Sequence, residues 1–497
     1  ALALLPAVGG TARAADGTGA VPIPDDPRGL LAEPFVGAPS SEAPLPSLRI
    51  PRHPFMARND DSNIHNDAYQ SDAYARRGPR GVDTTVTSTW FGQEECASQT
   101  FDSRGRIVTV CVGLVRPTVR LIDPTTLATI ASYPLPNRGS VDTTNFSGGY
   151  FYLDQRDRPV VVTSQAHVLV LALENGAYTV QRDVDLSRAA AGSSVQSVLP
   201  DWAGRLWFVT QSGRVGFADA RGAVRFLTLK DEVIANSFAI DESGGVFVVS
   251  DRALYRFDVR AGRPVTTWRQ TYDRGTRVKP SHVSQGSGTT PTLIGSASSP
   301  GGGSIAILDN AEPRMHLLVF RRGKAGPGRA LCRQPVFAAG RSADENSLIS
   351  VPGGLIAENN YGYKLQALGL RQPDTEPGLV RVDVDYRRGG CRVRWNNTTA
   401  RIPSSVSKAS LATGVVYGYT HPTAAEVPLR APLPSGQLAP DAWYLTAFSI
   451  RTGKALWSRY VGSNSLYNNH YAAIGIGRDG AAYVGTLGGL VRVADGR

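Results

Sequence analysis

Along most of the chain, apolar and polar positions alternate in short runs broken by Gly- or Asp-containing turns, and a helical period is nowhere sustained. One unit recurs. A polar residue opens a short apolar strand, a turn follows, and a strand rich in Val, Phe or Tyr comes next. NSFAIDESGGVFVVSDRALYRFD, from Asn236, is the clearest copy; others start at Cys96, Asn145, Gln196, Thr289, Asn346, Lys408 and His470. Each reads as a β-hairpin, and two further strand-like runs follow, as in VRLIDPTTLATIASYPL. Eight copies at intervals of roughly 40–60 residues predict an all-β chain, an eight-bladed β-propeller of four-stranded antiparallel blades. The last copy ends after three strands. VDTTVTSTWF, just before the first copy, is an orphan strand. Pairing of residues 84–91 with 488–493 would close the ring and remove an exposed edge.

The segments before the ring differ from it. ALALLPAVGG followed by Ala12-Arg13-Ala14 reads as the remnant of a secretory signal peptide over 1–14, with cleavage after Ala14. Residues 15–55 are rich in Pro, Gly, Ala and Ser and read as a flexible leader. Residues 56–82 hold SNIHNDAYQSDAY, a polar and aromatic stretch with few flexible residues. It reads as a lid-like segment over the channel mouth, or as one packed outside the last blade. The propeller then spans 83–497.

AFSIRTGKALWSRYVG, at 447–462, resembles the A-x-D-x-x-T-G-K-x-x-W docking repeat of the PQQ-like, quinoprotein-type eight-bladed propeller superfamily. IDPTTLATIASYPL (122–135) and FDVRAGRPVTTW (257–268) are degenerate relatives of it. The resemblance covers most of 83–497 and implies a fold rather than a chemistry. Quinoprotein dehydrogenases carry the tryptophan motif in most blades, whereas here Trp457 sits in one good copy and Trp268 in a degenerate one. They also carry a disulfide between adjacent cysteines over the cofactor, and no two cysteines here are adjacent. PQQ is therefore disfavoured.

Of the 497 residues, 41% are hydrophobic and 19% charged, an ordinary globular composition. No apolar run reaches the ~18 residues of a membrane span. Four cysteines without CxxC spacing in an exported chain favour two disulfides. Cys96 and Cys111 bracket a strand–turn–strand that would bring them together, leaving Cys332 to pair with Cys391. The net charge of +11 is carried mostly by arginine, scattered along the chain and not interleaved with aromatics. That disfavours nucleic acid and points to an acidic glycan or cell-wall polymer as partner. A secreted, extracellular or cell-envelope monomer is expected.

Loops leading into the inner strands of a propeller converge on one face. The residues expected there are Glu94, Glu95, Asn145, Gln196, Ser197, Asn236, Ser237, Thr289, Thr290, Asn346, Ser347, Lys408, Asn468, Asn469 and His470. Asn and Ser at such positions cap backbone groups in any propeller. As a ring of oxygen ligands they would suit Ca²⁺, although no Asp-rich loop marks a metal site. Glu94 and Glu95 point to opposite sides of a strand, so they do not form an acid–base pair by themselves. His470 is flanked by Tyr467 and Tyr471. His65 lies in the 62–74 stretch, with Asn66 and Asp67 at hand to orient it and Tyr69 nearby.

Three readings follow. In the first, the protein binds or cleaves an extracellular acidic polysaccharide by lyase chemistry. His65 or His470 is the base, Tyr471 the acid, and Asn469 or Arg341 neutralises the uronate. Asn66, Asp67, Tyr69, Glu95, Asn145, Asn236, Asn346 and Lys408 would line the substrate site. The second reading is a non-catalytic propeller that scaffolds protein or wall contacts. The third is a PQQ-like oxidoreductase.

Overall fold

The computed structural model describes residues 20–496 except 93, 114–115, 139–147 and 300–301. Eight sheets form the ring, nearly all β, with one short α-helix (Ser187–Ala190) among the described residues. Blade 1 runs outward from the axis as Glu95–Phe101, Ile107–Val112, Pro117–Ile122 and Thr129–Pro134. The inner strands of blades 2 to 8 are Tyr152–Leu153, Val195–Pro200, Ala239–Ile240, Thr292–Ile294, Ile349–Val351, Lys408–Ser410 and Ile474–Ile476. Blade 8 is completed by Thr85–Trp90, antiparallel to Gly489–Ala494 with Thr85 opposite Ala494 and Trp90 opposite Gly489. The closure expected from the three-strand last repeat is therefore present.

The turns explain why the repeats read as hairpins. Asp102, Asp154 and Asp201 end the inner strands of blades 1 to 3, and each carboxylate accepts backbone N–H groups of its turn. The arginine four residues on then clamps the same carboxylate, at 2.7, 2.7 and 2.6 Å. In blade 4 that arginine is replaced by Gly245, and Arg322 of blade 5 reaches across to Asp241 at 3.0 Å. The outer strands dock through tryptophan. Trp268 of blade 4 donates its indole N–H to Gly323 O (3.2 Å), and Trp395 of blade 6 donates to Ile450 O (2.9 Å). Trp457 is buried against Phe35 and Tyr417.

Both expected disulfides are formed, and they do different work. Cys96–Cys111 ties the two inner strands of blade 1, whereas Cys332–Cys391 joins the outer strands of blades 5 and 6. No helix among the described residues is long and apolar enough to cross a membrane.

The segments before the ring depart from expectation. The part of the leader that is described follows a fixed path instead of being loose. Phe35–Gly37 adds an outer strand to blade 7, antiparallel to Trp457–Arg459, and Ile23 is buried. Residues 61–74 are buried almost without exception, inside the channel rather than over its mouth or outside a blade. Their carbonyls at Ser62, Ala68, Tyr69, Ser71, Asp72 and Tyr74 accept N–H groups of Leu153, Ile240, Leu293, Ser350, Ala409 and Leu411. An inner strand is paired on one side only, so its axial N–H groups need acceptors. This segment supplies them to blades 2, 4, 5, 6 and 7, and Ala73–Tyr74 pairs in parallel with Lys408–Ser410. A polar stretch is buried here because its backbone does the sheet's bonding.

Candidate functional site at the channel mouth

The plug carries His65 up to the end of the channel where the inner strands begin. His65, Tyr150, Asn236, Glu345, Asn346 and Tyr471 are among the residues around a cavity of about 30 Å³. That is room for one or two waters, or for one edge of a larger ligand. Tyr150, Val283, Glu345 and Tyr471 are half-buried and form the rim. The connection between blades 4 and 5 lies across one side, where Tyr471 Oη donates to Ser281 O (2.6 Å).

The side chains form two networks. In the first, His65 Nδ1 sits 3.0 Å from both oxygens of Asp72, and its Nε2 faces the cavity, 3.4 Å from Ser347 Oγ. Asp72 also pairs with Lys408 Nζ, which bonds Ile64 O as well; Asp72 and Lys408 are fully buried. Burial works against ionisation of Asp72, but its contacts with His65 and Lys408 win and hold its carboxyl below the usual range. An Asp72 carboxylate that accepts from Nδ1–H leaves Nε2 as the free, basic nitrogen. Positive φ at Asn66 (77°) and Asp72 (54°) gives this short segment its sharp bends.

The second network is acidic. Asp344, Glu345 and Glu358 surround Asn346, whose amide donates to Glu358 Oε1 (2.7 Å) and Ser405 O (2.9 Å). Burial raises Glu345 and Glu358 to about 8 each, and raises Asp344 with the added repulsion of Glu358. Neither Glu345 oxygen has a well-formed hydrogen bond, although Val283 and Asn236 lie near enough to offset part of the burial. Near neutral pH Glu345 is therefore largely a neutral acid.

These shifts set a pH dependence of stability. A carboxyl raised from 4.5 to about 8 binds its proton more tightly in the folded state, so stability falls as pH rises through that window. His53 and His282, lowered by burial to about 4 and about 3, act oppositely, but only below their unfolded value of 6.5. Between pH 6.5 and about 8 the carboxyls act without that opposition. Thermal unfolding scans are expected to show the midpoint falling across this interval, and Glu345→Gln with Glu358→Gln flattening the slope. A midpoint that rises there would contradict the assignment.

Of the residues named from sequence, His65, Asn236, Thr290, Asn346, Ser347 and Tyr471 meet at the cavity, and Lys408 stands behind them. His470 Nδ1 is bound to Glu95 at 2.7 Å. Burial alone would lower His470, but the Glu95 carboxylate outweighs it and holds the ring above its usual value. His470 and Glu95 thus form a pair beside Tyr471, and neither is among the residues around the cavity. Asp67 does not orient His65: it accepts from Ser71 Oγ (2.6 Å) and Tyr69 N (2.9 Å), and burial raises it to about 7. Asn66 is fully buried and its side chain bonds neither His65 nor any other residue. Tyr69 Oη bonds Glu242 and accepts from Arg322 (2.9 Å), which places it with the turns at the opposite end of the channel. Arg341 is 64% exposed and paired with Glu376, away from the cavity. The Asn469 amide is spent on Ala472 O and Gly485 O. Asn145 lies outside the described residues.

The amide N–H groups of Asn236, Asn346 and Asn469 donate to backbone carbonyls and to Glu358, while the amide oxygens of Asn346 and Asn469 have no hydrogen-bond partner. Among the described residues no group of three or more His, Cys, Asp or Glu side chains is arranged to hold a metal ion. Sequence reasoning missed Asp72, Tyr150, Asp344, Glu345 and Glu358. Asp344 and Glu345 directly precede Asn346 at the start of the sixth repeat, a position that could have drawn attention to them.

No family model matches the chain. An uncharacterized protein of Archaeoglobus fulgidus is 25% identical over 342 residues, 63% of each chain, so the chain spans less than two thirds of that relative. Among solved structures, the chain is similar to a streptogramin B lyase (8% identity, 82% of this chain and 97% of that one, TM-score 0.39). It is also similar to BamB from Moraxella catarrhalis (14% identity, 68% and 93%, TM-score 0.32). A third is Sqt1 of Chaetomium thermophilum (12% identity, 79% and 92%, TM-score 0.45). Streptogramin B lyase and BamB are β-propellers like this one.

Proposed function

We propose that this is a secreted, monomeric propeller of the PQQ-like type that acts on an extracellular acidic polysaccharide by β-elimination at the His65 mouth. The observation that carries the reading is His65 itself: Nδ1 is held by the Asp72 carboxylate, and Nε2 faces a small cavity beside a neutral carboxylic acid and two tyrosines. Elimination from a uronate needs these parts. Nε2 takes the C5 proton, the electron pair forms the C4–C5 double bond, and the C4–O bond breaks. Tyr471 returns a proton to the leaving oxygen. The protonated Glu345 carboxyl donates a hydrogen bond to the substrate carboxylate, the task first expected of Arg341 or Asn469. The positive net charge draws such polymers in.

A second reading, a non-catalytic scaffold, is favoured by one observation: the chain's own residues 61–74 fill the channel. One assay separates the two. Uronate polymers incubated with the protein are expected to give the ultraviolet absorbance of an unsaturated product. Its absence across alginate, pectate and glycosaminoglycans, with the protein folded, would leave the scaffold.

A further inference from the structure

Arginines far apart in sequence are gathered by the fold at one place. The turn joining the two outer strands of blade 5 (321–331) lies against the corresponding turn of blade 6 (385–390). Gly390 N donates to Leu331 O (2.5 Å), Arg321 donates to Arg387 O (3.1 Å), and Cys332–Cys391 closes the seam. Lys324, Arg329, Arg333, Arg387, Arg388 and Arg392 project from these turns and the strands behind them, all exposed. None makes an ion pair among the described residues. The two local acids are already committed: Asp383 to Arg381 at 2.8 Å, and Asp385 to the N–H groups of its own turn. Asp385 and Asp258 offset only part of this charge, from a distance, and the excess of like charge favours an external anion.

A groove of about 720 Å³ opens beside them. Among the described residues its walls include Gly295, Ser299 and Gly303 of blade 5, with Arg321, Tyr386 and Arg387. The buried Tyr386 hydroxyl has no hydrogen-bond partner. The turns that build the groove connect strands at the end of the channel away from His65, so the groove is separate from the mouth.

We infer that the blade 5–6 seam is an anchoring surface for a linear polyanionic glycan, carboxylated or sulfated. Arginine forks match planar carboxylate and sulfate oxygens in pairs. A groove flanked by spaced arginines takes an extended chain with an anion at each repeat. The surface would hold a polymer on one face of the ring, independent of any chemistry on the other.

The test measures binding, not turnover. Wild-type protein is titrated with polygalacturonate, dextran sulfate and neutral dextran, and in parallel with phosphatidylglycerol vesicles and single-stranded DNA. The triple variant Arg387→Glu, Arg388→Glu, Arg392→Glu is compared with Arg225→Glu, Arg260→Glu, Arg263→Glu, which changes the net charge equally on blades 3 and 4. The seam variant is expected to lose about tenfold or more in affinity for both anionic glycans, and the control about twofold or less. The glutamine version of the seam triple keeps the test valid if charge reversal perturbs folding. Equal losses in both triples would overturn the inference, as would a wild type that prefers vesicles or DNA to glycan. A protein that binds through the seam but eliminates nothing would refute the His65 reading and leave this one standing.

Discussion

Lys408→Met is expected to destabilise the protein by about 3–5 kcal/mol, as removal of one partner from a buried ion pair does. Lys408 and Asp72 are both fully buried, and the Lys408 ammonium also satisfies the Ile64 carbonyl. Without it, the Asp72 carboxylate keeps only His65, and the Ile64 carbonyl loses its donor. The loss falls on the segment that caps the axial edges of five inner strands. Denaturant unfolding of four proteins measures it: wild type, Lys408→Met, Asp72→Asn and the double variant. The double is expected to recover part of the loss, because two uncharged groups replace an orphaned charge. A double variant no more stable than Lys408→Met alone would show that the pair is not what holds the plug.

That pair also marks where the sequence stops being readable. The ring was legible because each blade repeats local physics: alternation and an Asp- or Gly-containing turn. Asp102 to Arg106 and Asp201 to Arg205 lie within one hairpin. Even the ring closure followed from counting strands. The site depends on contacts between distant parts of the chain. Lys408 reaches Asp72 across 336 positions, and His65 meets Ser347 across 282. The 62–74 stretch could be seen to be unusual, but its task could not. Composition suggests exposure, whereas the inner strands' unpaired N–H groups, which require its carbonyls, appear only once the ring is built. His470 and His65 looked alike in sequence, and both hold a carboxylate on Nδ1; only His65 lines the cavity. The arginines illustrate the same limit. They are scattered in order and clustered in space because adjacent blades present equivalent turns side by side.

If the mouth carries out elimination, His65→Gln is expected to lower turnover by about 10²–10⁴-fold, the range a positioned base supplies. Glutamine keeps a polar side chain in the channel, and Asp72 remains paired with Lys408, so the far-ultraviolet circular dichroism should stay that of the wild type. Asp72→Asn is expected to reduce turnover too, since an amide no longer fixes the proton on Nδ1 and the free pair on Nε2. Tyr471→Phe removes the proposed acid together with the bond to Ser281 O, and its loss should shrink on substrates with better leaving groups. His470→Gln is the contrasting variant. Its ring is not among the residues around the cavity, so turnover should fall only a few-fold, while loss of the bond to Glu95 lowers stability. The ordering of the two histidines decides the matter. A protein in which His470→Gln abolishes turnover and His65→Gln spares it would move the base to the Glu95 pair, and the plug would then be a structural element of the ring alone.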